Sequence, residues 1–118
     1  MECIFCKIIE KKVPADILYE DDKVIVFKTI KPSAPIHLLA VPKKHIESID
    51  YLLPEDSELI GDIFLIIKKI AREQGIDKSG YKVAINVGKG GGQEVFHIHF
   101  HLLGGWKNAK DRDIIGMP

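Results

Sequence analysis

VFHIHFHLL, residues 95–103, alternates apolar and imidazole side chains along its length. Period-two alternation is the pattern of a β-strand, in which successive side chains point to opposite faces. The strand expected over Val95–Leu103 puts His97, His99 and His101 on one face. Phe96, Ile98, Phe100 and Leu102 then point to the other and meet a core. An ordinary solvated strand face carries Thr, Lys or Glu. Three imidazoles about 6.5–7 Å apart repel one another when protonated, so the run points to chemistry. Two chemistries use such an array. One is zinc ligation by neutral ring nitrogens, and the other is nucleophilic attack on phosphorus by a histidine whose neighbours tune its tautomer.

The residues in front of the strand favour the second. Gly88-Lys89-Gly90-Gly91-Gly92-Gln93 is a glycine-rich approach. Its backbone can come close to a ligand and turn N–H groups toward an anion. A flexible hairpin loop is the plain alternative for the glycines alone; beside three histidines they read as a phosphate cradle.

Working outward, Phe5–Lys12 reads as a short helix stopped by Pro14. Ile17–Tyr19 and Lys23–Lys28 read as strands joined by the acidic turn Glu20-Asp21-Asp22, a hairpin signature. Two prolines make residues 31–35 a loop, and Ile36–Val41 is β-branched and apolar enough for a third strand. Pro54 then opens a long helix with Glu55, Asp56 and Glu58 at its positive end. Its expected buried stripe is Leu59, Ile60, Ile63, Phe64, Ile66, Ile67, Ile70 and Ala71, and Gly75 suits its stop. Tyr81–Val87 is a fourth strand and Val95–Leu103 the fifth. Hairpins with one long helix, and no βαβ alternation, predict an α+β fold on an antiparallel sheet of about five strands. One domain over residues 1–105 accounts for these elements, with 106–118 as a polar tail.

At 118 residues the chain is one domain in size, and its 46% hydrophobic fraction suits a soluble globule. Seventeen basic residues balance seventeen acidic ones. A neutral chain lacks the basic footprint of a general nucleic-acid binder or a membrane-surface protein. No apolar run is long enough to span a bilayer, and the start MECIFCKIIEKK has no signal-peptide pattern, so the cytoplasm is the expected compartment. Cys3 and Cys6 stand three apart. A structural disulfide there would constrain the unfolded chain little. The pair reads as metal ligands or a redox motif, metal being the stronger of the two, with buried thiols as the bland reading.

GGQEVFHIHFHLLGG, residues 91–105, resembles the signature of the histidine triad family, particularly its Hint-type branch. YEDD, KPSAPIH, VPKKHI and GYKVAINVG precede it in the expected order, so the resemblance spans Cys3 to Gly105. It implies a HIT-like fold whose sheet continues across a two-fold homodimer, with the fourth strand and long helix at the contact. It implies hydrolysis of nucleoside 5′-phosphoramidates, on purine nucleotides of the AMP or GMP kind, through a nucleotidyl-histidine intermediate. By the same resemblance His99 is the nucleophile, His101 contacts phosphate oxygens, His37 orients the nucleophile and His97 completes the triad. Gly92, Gln93 and Glu94 match the phosphate-cradling segment, and Asn86 a position that contacts the sugar and phosphate. Val13, Phe27 and Ile30 match the walls of the base pocket. Thr29 stands where the family usually has an Asp for the ribose hydroxyls, so a charge-assisted pair is replaced by a single hydroxyl bond.

Some relatives of that fold bind zinc through a Cys-x-x-Cys, a downstream His and the first triad His. Carried over, the ligands are Cys3, Cys6, His45 and His97, a closed structural site that leaves His99 free. Other readings remain at this point. A dinucleoside polyphosphate hydrolase would carry a Gln where Leu103 stands. A nucleotide-binding sensor would be compatible with Thr29. A metallohydrolase would hold zinc on the three triad histidines.

Overall fold

The computed structural model describes residues 3–108 and 110. Most of the expected tail, 106–118, therefore lies outside the described residues. Five strands, β1 (Ile17–Glu20), β2 (Val24–Lys28), β3 (Ile36–Pro42), β4 (Tyr81–Ala84) and β5 (Phe100–Gly104), form one sheet of order β1-β2-β3-β5-β4. Every neighbouring pair is antiparallel. With α1 (Ile4–Ile9) and α2 (Ser57–Glu73), this is the α+β architecture that the sequence predicts.

Alternation along the central strands sends side chains into two cores. Val24, Val26, Leu38, Ala40, Phe100 and Leu102 face α2, meeting Ile63, Ile67, Ile70 and Ala71. Ile25, Phe27, Leu39 and Val41 face the other way, under Phe5 and Ile8 of α1. Both faces are covered, which explains why β2 and β3 read as continuous apolar runs. The expected helical stripe is narrower than its pattern: Phe64 is 49% exposed, although its ring meets Phe100 edge-on at 5.5 Å.

The long helix begins at Ser57, after a 3-10 turn over Pro54–Asp56; three other boundaries fall well short of the sequence reading, each for a physical reason. The fifth strand starts at Phe100 rather than Val95. Ala40 pairs with Phe100, so the next rung would oppose Pro42 and Ile98. Pro42 has no N–H to give, and Ile98 N–H instead reaches the Ile46 carbonyl at 2.6 Å. The fourth strand stops at Ala84 rather than Val87, because Asn86 turns to bond the Gly91 carbonyl at 2.8 Å. The first helix ends at Ile9 rather than Lys12. Lys12 N–H closes on the Lys7 carbonyl at 2.9 Å, with Lys11 in the left-handed region at φ 64°.

Candidate active site

The chain enters β5 along the face that α1 covers, and all three triad histidines lie on that side. The Phe5 ring meets His97 at 5.9 Å and His99 at 5.1 Å, both edge-on. His101 follows at 5.0 Å from His99. Ile98, Phe100 and Leu102 point into the α2 core as expected, whereas Phe96 is 44% exposed. His97 and His99 are buried within the irregular approach, and only His101 belongs to the strand.

The partners of each ring fix its tautomer, because a carbonyl can only accept and an amide N–H can only donate. His99 Nδ1 donates to the His97 carbonyl at 2.9 Å. Its Nε2 lone pair is left toward the cavity, with no protein partner among the described residues. Ser33 N–H donates to His37 Nδ1 at 2.9 Å, so the hydrogen of His37 sits on Nε2. That Nε2–H reaches His101 Nδ1 at 2.9 Å, which leaves a hydrogen on His101 Nε2. One ring thus offers a lone pair and its neighbour an N–H. The resemblance has His37 orienting His99; here it braces His101, and a backbone carbonyl orients His99.

Burial keeps these rings neutral. It pushes His101 down to about 4, helped by the charges that His99 and His37 would carry. Burial also lowers His37, with His99 adding to the effect. His99 is lowered by burial too, partly offset by its bond to the His97 carbonyl and by the Glu94 carboxylate.

His97 turns to a different task. Its Nε2–H donates to the Pro42 carbonyl at 2.7 Å, the group that the missing ladder rung leaves available. Nδ1 is thereby left facing Cys3 Sγ at 3.4 Å and Cys6 Sγ at 3.6 Å, and Cys6 Sγ stands 3.4 Å from His45 Nδ1. The four donor atoms lie within 4.8 Å of one another. Tetrahedral zinc with ordinary bond lengths places sulfur and nitrogen ligands about 3.5 Å apart, so this set could hold such an ion. Burial and the neighbouring Cys3 raise the Cys6 thiol to about 11, so a bound cation would displace its proton. Among the described residues this is the one group of His, Cys, Asp and Glu so arranged. Zinc shared by all three triad histidines finds no support, since His97 is turned to the cysteines.

A cavity of about 1080 Å³ opens beside His99 and His101. Val13, Phe27, Thr29, Ile30, Asn86, Gly92 and Glu94 line it together with His37. Gln93 does not. Its Oε1 accepts Gly88 N–H at 2.8 Å, and its Nε2 donates to the carbonyls of Glu47 (2.6 Å) and Val95 (3.0 Å). The glycine segment also differs from the expected cradle. The N–H groups of Gly91, Gly92 and Gln93 bond the carbonyls of Gly88 and Lys89. Those of Glu94 and Val95 remain without a protein acceptor among the described residues. Gly92 takes φ 85°, a turn that favours glycine. Phe5, Ile8, Leu39, Lys31 and Ser33 also line the cavity and were not among the sequence candidates. The apolar ones were read as helix or strand core, and Ser33 acts through its backbone, which no side-chain pattern reveals.

Comparisons with known proteins give the chain its family. The family model described as scavenger mRNA decapping enzyme C-term binding matches residues 2–112. Protein HitA of Neisseria gonorrhoeae is 49% identical over 102 residues, covering 86% of this chain and 94% of that protein. The crystal structure of a HIT family hydrolase from Legionella pneumophila is 47% identical with a TM-score of 0.88, covering 90% of this chain and 95% of that one. A zinc-bound histidine triad family protein from Mycobacterium smegmatis is 34% identical with a TM-score of 0.79, covering 93% of this chain and 79% of that one. The chain belongs to the histidine triad family, and its class is that of the HIT hydrolases and nucleotide-binding proteins.

Proposed function

We propose that this chain is a Hint-type phosphoramidase, hydrolysing nucleoside 5′-phosphoramidates of purine nucleotides through a covalent adduct on His99. The observation that carries the reading is the His99 ring: neutral, Nδ1 tied to a carbonyl, Nε2 open to the cavity. The Nε2 lone pair attacks the α-phosphorus. The P–N bond to the leaving amine breaks, and the amine takes a proton from solvent. The His99 ring then carries positive charge, delocalised onto the Nδ1–H that the His97 carbonyl accepts. His101 Nε2–H donates to a phosphate oxygen, and the Glu94 and Val95 N–H groups are available to others. Water next attacks phosphorus, losing a proton to solvent. The P–Nε2 electron pair returns to His99, and the nucleoside monophosphate leaves. The base rests on Phe5, Val13 and Phe27, with Ile30, 93% exposed, closing over it when a nucleotide is bound.

The metal held by Cys3, Cys6, His45 and His97 is zinc in this reading. It would supply a cross-link between α1 and the approach to β5, outside the chemical step. The partner is a second copy of the chain. β4 has one unpaired edge with Tyr81 and Val83 each 37% exposed, and α2 presents Phe64 and Leu65 (65% exposed). No described helix is long and apolar enough to cross a membrane.

Steady-state release of AMP from an adenosine 5′-phosphoramidate, with His99→Ala beside wild type, tests the activity. Turnover by wild type that falls at least about a thousandfold in the variant is expected. Equal rates, or no turnover by wild type, would overturn the reading.

A further inference from the structure

At about 1080 Å³ the cavity lies at the upper end of small-ligand pockets, which usually span about 300–1,000 Å³. Its charges are unevenly placed. Glu94 acts on His99, at the end where chemistry is proposed. At the rim that Thr29 and Ile30 line, Lys28 lies 3.4 Å from Asp16, itself a lining residue, so the two charges offset one another. Lys31 is exposed, lines the same rim, and has no ion-pair partner among the described residues. Between the lysines, Thr29 accepts Lys31 N–H on Oγ1 at 3.3 Å, which leaves the hydroxyl hydrogen available to a ligand.

This rim is anchored to the site. Thr29 N–H bonds the His37 carbonyl at 3.4 Å and Ser33 N–H bonds the His37 ring. The segment from 29 to 33 is thereby set against the His37–His101 pair. Residues 29–31 line the same cavity as His99, Phe5 and Phe27, so the proposed pose sets the sugar of the nucleotide against them. A carboxylate at position 29 would repel an anion on the sugar, whereas a hydroxyl beside Lys31 attracts one.

We propose that Lys31, with Thr29, forms a second anion subsite that takes a phosphate on the ribose of the bound nucleotide. The ligand class is a nucleoside bisphosphate, phosphorylated at the 5′ position and at the 2′ or 3′ position. The inference rests on the nucleotide reading of the cavity and adds a substrate class to it.

Calorimetric titration of the full chain with AMP, ADP, adenosine 2′,5′-bisphosphate and adenosine 3′,5′-bisphosphate separates the possibilities. One of the ribose bisphosphates should bind about five- to tenfold tighter than AMP, and the 2′ and 3′ isomers identify the position. ADP has an added phosphate in the chain rather than on the ribose, and should show a smaller gain. In Lys31→Glu the ratio of bisphosphate to AMP affinity should fall to about one or below. Raising salt from about 50 to about 500 mM should shrink the ratio in wild type. AMP binding with no bisphosphate preference would overturn the subsite alone, as would an equal gain for ADP or a preference that survives Lys31→Glu. Failure of AMP and both bisphosphates to bind would overturn the nucleotide reading together with it.

Discussion

Each buried imidazole in this molecule is held by a backbone group, and the identity of that group decides what the ring can do. His99 gives its Nδ1 hydrogen to the His97 carbonyl, His97 gives its Nε2 hydrogen to the Pro42 carbonyl, and His37 receives one from Ser33. The histidine pattern was legible at two-residue spacing. Its wiring was not, because carbonyls and amides leave no signature in side-chain type. Gln93 shows the same limit. It reads as part of the cradle, yet it is a buried brace that joins Gly88, Glu47 and Val95. Gln93→Ala leaves those three backbone groups without their partner and should cost about 2–3 kcal/mol, measured by urea unfolding. It should also lower turnover by loosening the loop beside His99. Gln93→Ala with wild-type stability would contradict the bracing role.

Among the elements, the sequence located all five strands and both helices but overran several ends. The strand pattern from Val95 to Leu103 is genuine period-two alternation, yet pairing needs a donor on the facing strand, and Pro42 has none. A single-residue property of one strand thus sets the start of another. The return of β5 carries a tighter constraint. A Cβ on Gly104 would lie 2.7 Å from Ile76 Cδ1 and 3.4 Å from Tyr81 Cβ. Gly104→Ala should therefore destabilise by about 1–2 kcal/mol, read as a lower melting temperature. An unchanged melting temperature would mean that Ile76 yields freely. The N-terminal end of α1 carries the cysteines to His45 and His97, a juxtaposition that spacing hinted at and only the fold assembles. Purified protein should retain about one zinc per chain by elemental analysis. A Cys3→Ser/Cys6→Ser variant should lose it and melt at least about 5 °C lower. Metal-free wild type with an unaltered melting temperature would contradict the zinc reading.

For the molecule as a whole, buried neutral histidines make stability depend on pH. His101 titrates at about 4 when folded against about 6.5 ordinarily, and His37 is also lowered. Between those values the unfolded chain takes up protons that the folded chain refuses, so stability falls as pH drops from about 6.5 toward 4. Glu20, Asp21 and Asp56 are lowered as well, by contacts that include Lys11, Tyr19 and Lys44 respectively, and act with the same sign in the more acidic carboxylate range. A loss on the order of 2–3 kcal/mol between pH 7 and 4.5 is expected from His101, measured by urea midpoints. A flat profile would contradict neutral burial. Sedimentation should give twice the chain mass if the β4 edge and α2 face are covered by a second copy, and a monomer would contradict the dimer.

The central claim is a covalent bond between His99 and phosphorus. Acid quenching of wild type during turnover of an adenosine 5′-phosphoramidate, followed by peptide mass spectrometry, tests it most directly. An added adenylyl group on the peptide that contains His99, absent from His99→Ala, is the expected result. Turnover without any adduct on that peptide, or an adduct on a different histidine, would contradict the nucleophile assignment.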